Sequence, residues 1–160
     1  MIGPRDEFFM RAALKEAECA FEKEEVPVGA VLVHQDQIIA RGHNQVELLQ
    51  DATAHAEMLC ITAAMAAEGN WRLAEMTLYC TLEPCAMCAG ALFAARIERL
   101  VWGAPDLRLG ACGSWVDLFA AKHPMHHIAL TSGILAEDAA RLMKSFFQKT
   151  REKKRCGSLS

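Results

Sequence analysis

Residues 76–103, MTLYCTLEPCAMCAGALFAARIERLVWG, decide the fold of this chain of 160 residues. The apolar run Met76–Thr81 predicts a buried strand, and Arg99–Gly103 predicts a second one. Between them, Pro84 suits the first turn of a helix that we expect over Cys85–Ala95. A strand, a helix and a strand in succession are typical of an α/β fold.

The sequence on either side adds further elements, predicted from apolar spacing, turn residues and an N-cap candidate at Thr53. In chain order they are a helix over Asp6–Lys23, a β-hairpin of Val28–Val33 and Ile38–Gly42, a helix over Ala54–Ala67, a strand at Ile128–Thr131 and a closing helix over Ala136–Arg151. Together they predict a three-layer α/β/α sandwich with a mixed central sheet. Gly29, inside the first hairpin strand, indicates the close approach of a ligand.

The composition is that of one globular domain over residues 1–160, with 52% apolar and 23% charged residues. No apolar run approaches the roughly 20 residues of a membrane span. The first residues lack the pattern of a signal peptide, so we expect a cytoplasmic protein. Seven cysteines, an odd number, argue against a disulfide framework and favour metal binding or catalysis for some of them.

The charge is unevenly distributed along the chain. The formal net charge is −3, but a basic tail from about residue 149 carries five of the 17 Lys and Arg residues, namely Lys149, Arg151, Lys153, Lys154 and Arg155. Such a tail can contact phosphates. It can equally be the solvated end of a helix, where cations suit the helix dipole.

Two segments at predicted helix starts carry the chemistry, and the first contains His55 while the second contains Cys85 and Cys88. Two cysteines three residues apart on one helix face can bind a single ion. One imidazole and two thiolates make the three-ligand set of a catalytic zinc site, which leaves the fourth position for water. A redox pair or a closed structural site that recruits Cys80 is the alternative.

Glu57 follows His55 by two residues and is too close in sequence to be a routine fellow ligand. We expect both residues in the first turn of their helix, since positions two apart diverge by roughly 200° further along. A carboxylate beside a zinc-bound water can accept its proton and pass it to the substrate. A redox or structural site has no use for this acid, so the pattern favours zinc-dependent catalysis.

With these residues the chain resembles the zinc-dependent, cytidine-deaminase-like superfamily, whose signature is His-x-Glu followed by Pro-Cys-x-x-Cys. Within it, the chain is most similar to the bacterial tRNA-specific adenosine deaminases, over about residues 6–151. The shared segments are VPVGAV at 26–31, GHN at 42–44, ATAHAE at 52–57, TLEPCAMCAGA at 81–91 and GIL at 133–135.

The resemblance implies hydrolytic deamination of adenosine to inosine at wobble position 34 of a tRNA anticodon. It further implies one Zn²⁺ per subunit, a homodimer, and Glu57 as the residue that shuttles the proton. Asn44 falls where the family hydrogen-bonds the purine ring, and Asp106 falls where it contacts the nucleotide. The closing helix, with Phe147 and Arg151, matches the region that meets the anticodon stem-loop.

Three of these assignments have a plainer interpretation. Asn44 follows a strand and suits a turn, Asp106 suits a loop cap, and Phe147 can belong to the core instead of stacking on an unpaired base. Two other functions also remain open. One is the same chemistry on a free nucleobase or nucleoside such as guanine or cytosine, and the other is a zinc-stabilised RNA-binding module without activity.

Overall fold

The computed structural model describes residues 2–158, and its ten elements follow the predicted order closely. They are α1 (Asp6–Glu22), β1 (Gly29–His34), β2 (Gln37–His43), α2 (Val46–Leu49), α3 (Ala56–Glu68), β3 (Thr77–Leu82), α4 (Ala86–Ala94), β4 (Arg99–Ala104), β5 (Ala129–Ser132) and α5 (Ala136–Gly157). Within this part of the chain, no helix is both long and apolar enough to cross a bilayer.

The five strands form one sheet in the order β2-β1-β3-β4-β5. β1 pairs with β2 and β3 in antiparallel orientation, whereas β4 runs parallel to both β3 and β5. The mixed central sheet predicted from the sequence is therefore confirmed. Parallel pairing of β3 with β4 is possible because α4 provides the crossover between them.

Two apolar clusters cover the two faces of the sheet, which gives the three layers. Along β1, Ala30 and Leu32 belong to the cluster that contains α3 and α4, while Val31 and Val33 belong to the cluster that contains α1. This alternation is the period-two pattern of a strand buried on both faces. Helix α5 contacts β4 and also α1.

The predicted role of Gly29 as a point of ligand approach is wrong. A Cβ atom at Gly29 would lie 2.1 Å from the carbonyl oxygen of Ala13 and 2.4 Å from the amide nitrogen of Ala17. Helix α1 thus packs its backbone against β1 at this position. The residue is glycine because a helix, and not a ligand, comes close to the strand.

Two other details differ from the prediction. The N-cap of α3 is His55 and not Thr53. The hydroxyl of Thr53 donates a hydrogen bond to Oδ1 of Asp51 over 2.7 Å instead. Helix α5 continues beyond its predicted end at Arg151 to Gly157, so the basic segment from about residue 149 is the helix end that the sequence had left open as one alternative. Its positive charges therefore lie on an exposed helix end.

Candidate active site

The N-termini of α3 and α4 meet beside the sheet and bring the predicted metal ligands together. His55 is the N-cap of α3 and Cys85 is the N-cap of α4, both with extended backbone, and Cys88 lies in the first turn of α4. In this arrangement the three side chains point toward one another. The two helix N-termini also place positive potential where thiolates form.

The distances between these side chains fit a tetrahedral zinc ion. Nδ1 of His55 lies 3.5 Å from Sγ of Cys85 and 3.6 Å from Sγ of Cys88, and all three donor atoms fall within 4.8 Å of one another. Zn–S bonds of about 2.3 Å and Zn–N bonds of about 2.05 Å at a tetrahedral angle separate N from S by roughly 3.6 Å. The donor set therefore fits Zn²⁺ in both type and spacing.

Hydrogen bonds among the three residues favour the thiolate form of Cys85 over that of Cys88. The hydrogen bond with Cys88 lowers the pKa of Cys85 to about 4, with a further contribution from His55 and against the opposing effect of burial. The same bond to Cys85, together with burial and the nearby Glu57, raises the pKa of Cys88. A divalent cation would stabilise the thiolate form of both sulfurs, since the thiolate is the metal ligand.

Glu57 occupies the first turn of α3, as predicted, and is 3% exposed. Burial raises the pKa of its carboxyl group, while a hydrogen bond from Sγ of Cys88 to Oε2 at 3.0 Å acts in the opposite direction. A raised pKa makes a buried carboxylate a better proton acceptor, as a general base must be. It lies directly beside the donor set.

A cavity of about 1060 Å³ opens onto this cluster, and His55, Glu57 and Cys85 contribute to its lining. Asn44 also lines it and is 7% exposed, yet its Oδ1 atom has no hydrogen-bond partner among the described residues. A buried polar atom without a partner is costly unless a ligand or water satisfies it. The cavity thus presents an unused acceptor at its wall.

Comparison with known proteins identifies this arrangement. Residues 4–104 match the family model described as the cytidine and deoxycytidylate deaminase zinc-binding region. The chain belongs to this deaminase family. The family's zinc-binding region and the converging donor set together confirm the predicted cofactor, one Zn²⁺ per subunit.

Relatives in the deaminase family support the predicted resemblance. The chain is 47% identical to the tRNA-specific adenosine deaminase of Bacillus subtilis, over an alignment of 151 residues that covers 94% of each protein. It is 52% identical over 159 residues to the chloroplastic tRNA(adenine(34)) deaminase of Arabidopsis thaliana, but spans only 12% of that protein.

Solved structures agree with this placement. A structure from a study of A-to-I editing by tRNA:A34 deaminases is 45% identical, with a TM-score of 0.81 over 84% of this chain and 98% of that one. A guanine deaminase from Nitrosomonas europaea is 23% identical, with a TM-score of 0.78 over 91% of this chain and 85% of that one. The latter likeness shows the shared fold alone.

The remaining residues predicted from the deaminase resemblance are placed unevenly around the cavity. Asp106 and Phe147 line it, whereas Arg151 is exposed on α5 outside the lining. Oδ1 of Asp106 accepts the amides of Arg108 and Leu109 at 3.1 and 3.2 Å, so this side chain does cap a loop. Phe147 is 40% exposed and therefore does not belong to the core.

Two buried acids, which no sequence pattern singled out, shape this deaminase cavity. Glu25 is 1% exposed and accepts the amides of Glu47 and Leu48 at 3.2 and 2.6 Å, which holds α2 as one wall. Glu83 is 2% exposed and accepts hydrogen bonds from the loop that follows β4. For Glu83 the sequence did contain a signal, because this acid stands at the end of an apolar strand, directly before Pro84 and Cys85.

Proposed function

We propose that this protein is an enzyme that deaminates adenosine to inosine at wobble position 34 of a tRNA anticodon. The observation that carries the proposal is the meeting of His55, Cys85 and Cys88 with the buried acid Glu57 at one end of a large cavity. The substrate is proposed from the tRNA deaminases that are 43 to 52% identical to this chain over the aligned residues.

In the proposed mechanism, His55, Cys85 and Cys88 hold the zinc ion. Zinc, when bound, supplies a Lewis acid that lowers the pKa of a coordinated water. Glu57 accepts a proton from the water that attacks C6 of the adenine and delivers it to N1. It then accepts the second proton from the new C6 hydroxyl group and passes it to the amine, so that the C6–N bond breaks, ammonia leaves and the C6 carbonyl of inosine forms. Asn44 orients the purine ring through its Oδ1 atom, which has no hydrogen-bond partner among the described residues.

The size of the cavity supports a substrate larger than a free base. A volume of about 1060 Å³ reaches the upper end of the roughly 300–1000 Å³ typical of sites for drug-sized ligands. The cations Arg108, Lys149 and Lys153 contribute to its lining, and Phe147 offers a ring on which an unpaired base can stack. These features suit several nucleotides of a single-stranded loop with their phosphates.

Two alternatives are weaker on the same observations. A free-base deaminase needs neither the cations nor the exposed ring on α5. A non-catalytic zinc-stabilised RNA-binding module gains nothing from Glu57, since a buried acid costs free energy unless it serves a purpose. Release of ammonia from an anticodon stem-loop would eliminate the module, and release from free guanine or cytosine would favour the free-base enzyme.

A homodimer in the cytoplasm is also part of the proposal. Large apolar side chains remain exposed on the segment after β4, including Trp115 at 61% and Leu118 at 40%. Such side chains support an interface between subunits. Light scattering of the purified protein at micromolar concentration should give a mass of two chains.

The deciding experiment is incubation of the zinc-loaded protein with total tRNA, followed by sequencing for inosine. We expect inosine at position 34 of one or a few tRNAs and at no other position. Deamination of free nucleobases in place of tRNA would overturn the proposal, as would a pool of tRNA that stays unchanged. Protein with a Glu57→Gln substitution serves as the matched control.

A further inference from the structure

The buried carboxylate of Glu83 is bound by one loop of the cavity wall. Oε1 accepts the hydroxyl of Ser114 and, at 3.3 Å, the amide of Asp106. Oε2 accepts the amides of Cys112 at 2.9 Å and Ser114 at 3.3 Å. All four donors lie in residues 106–114, which we call the Glu83 loop.

The fit between this carboxylate and the loop depends on Gly110. A Cβ atom at Gly110 would lie 2.2 Å from Oε2 of Glu83, a distance at which one of the two must move. The loop also meets the ligand segment through its backbone, because the amide of Ala111 donates to the carbonyl of Pro84 over 2.8 Å and Gly110 bridges to Cys85. Loop and ligand segment are thus built as one unit.

The part of the Glu83 loop that faces the cavity has little apolar packing to hold it. Leu107 is 82% exposed and Leu109 is 52% exposed, and both line the cavity together with Asp106 and Arg108. Side chains that stay in solvent do not fix the shape of a loop. The shape therefore depends on its polar anchors, of which Glu83 is the most buried.

We propose that Glu83 is a positioning residue for substrate binding, which acts through the Glu83 loop and takes no part in the proton transfers. By holding four donors of the loop, it presents Asp106, Leu107 and Leu109 as a preformed rim to the nucleotides around the target base. The proposal rests on the proposed function for its substrate. The positioning of the loop itself can be tested without activity.

The test uses Glu83→Gln and the milder Ser114→Ala in the zinc-loaded protein, with Glu98→Gln as an exposed carboxylate control. With an anticodon stem-loop as substrate, we expect KM to rise about tenfold in Glu83→Gln, as for loss of one hydrogen bond to a charged group, while kcat changes little. Ser114→Ala should shift KM in the same direction by less. Zinc content should stay at one ion per chain in all three.

Hydrogen exchange provides the readout that is independent of activity. The amides of Cys112 and Ser114 should exchange faster in Glu83→Gln but not in Glu98→Gln. Unchanged exchange, or a fall in kcat at constant KM, would overturn the positioning role. If Glu83→Gln does not fold, Ser114→Ala decides alone, by the same exchange and KM criteria. If the wild-type protein does not deaminate RNA, but the loop amides exchange faster in Glu83→Gln as expected, then the proposed substrate is wrong and the anchoring role of Glu83 still holds.

Discussion

The thiol of Cys88 lies 3.0 Å from Oε2 of Glu57, although the two residues are 31 positions apart and belong to different helices. This contact joins a proposed metal ligand to the proposed proton carrier. It exists because α3 and α4 begin at neighbouring points beside the sheet. Ligand and acid are therefore close in space but chemically separable, and substitutions can affect one without the other.

Replacement of Glu57 by glutamine should abolish turnover without loss of zinc. Glutamine has nearly the same shape, so the buried site stays filled, but its amide cannot accept the proton from water. We expect activity on an anticodon stem-loop to fall at least about 10²-fold, the lower end for a general acid–base catalyst. Elemental analysis should still find one zinc per chain. Glu68→Gln, at the exposed end of α3, is the control, and near wild-type turnover in Glu57→Gln would refute the mechanism.

Replacement of Cys88 by alanine should remove the metal and the stability that comes with it. A ligand that binds only the folded state stabilises that state, by an amount that grows with the logarithm of the ligand concentration divided by Kd. We therefore expect a lower Tm and no further decrease when a chelator is added. Cys60→Ala is the matched control, because Cys60 is equally buried, at 0% exposure, but lies outside the donor set. One zinc per chain in Cys88→Ala would show that the ligand assignment is wrong.

Replacement of Asn44 by alanine should weaken substrate binding with little loss of stability. Most buried polar groups stabilise the fold through a partner, whereas Oδ1 of Asn44 has none among the described residues. We expect KM for the stem-loop to rise about tenfold or more, and the free energy of unfolding to change by less than about 1 kcal/mol. Urea titration and steady-state kinetics measure the two effects. A strongly destabilised variant with unchanged KM would favour the turn interpretation.

The sequence predicted the cluster of His55, Cys85 and Cys88 because the information for it is local. Cys85 and Cys88 are three residues apart, and His55 and Glu57 two apart, so one helix turn at each place fixes their relative positions. The meeting of these two helix turns was predicted only from the order of strands and helices along the chain. The predicted strands agree with the structure within one or two residues because both faces of each central strand are buried.

Contacts between residues far apart in the chain could not be predicted from the sequence. The packing of α1 on Gly29 and the anchoring of the 106–114 loop by Glu83 join residues far apart in the chain, and no periodicity reveals such pairs. Helix α2 was missed because its four residues are too few to show a helical pattern. The basic end of α5 could be placed in a tail or a helix, since polar residues alone do not distinguish the two.

Stability should fall in acid as Asp6 is protonated. Burial raises the pKa of Asp6, but hydrogen bonds from Arg99, the amide of Gly3 and the hydroxyl of Tyr79 outweigh it and lower the pKa to about 2. In the unfolded chain the value is about 3.9. The folded state therefore binds this proton more weakly, and its stabilisation is complete above about pH 4 and lost as the pH falls through about 2.

Urea titrations between pH 2 and 7 measure this contribution, which amounts to at most about 2.5 kcal/mol. Asp6→Asn should be less stable at pH 7 and lose less stability between pH 4 and 2 than the wild type. Asp36→Asn is the control, because Asp36 is 70% exposed and lies 3.8 Å from Arg5 in a surface ion pair. Equal pH dependence in wild type and Asp6→Asn would contradict the assignment.

Truncation after Thr150 should weaken RNA processing and reduce its salt dependence. Residues 151–158 are exposed, so their removal leaves the core intact. It removes Lys153, which pairs with Glu24 at the rim of the cavity, along with the other basic residues of the helix end. Glu24 then stays as an unpaired anion where phosphates approach. We expect a higher KM for the stem-loop at low salt, with unchanged Tm and zinc content.

The salt series distinguishes charge from helix length. Each phosphate contact that is lost should lower the slope of log affinity against log salt by about 0.7, so the difference from wild type should be largest at low salt and shrink as salt rises. A full-length variant with Lys153, Lys154 and Arg155 replaced by glutamine should reproduce most of the effect, because it keeps the helix and removes the cations. An equal loss at every salt concentration would mean that this helix end acts through shape and not through charge.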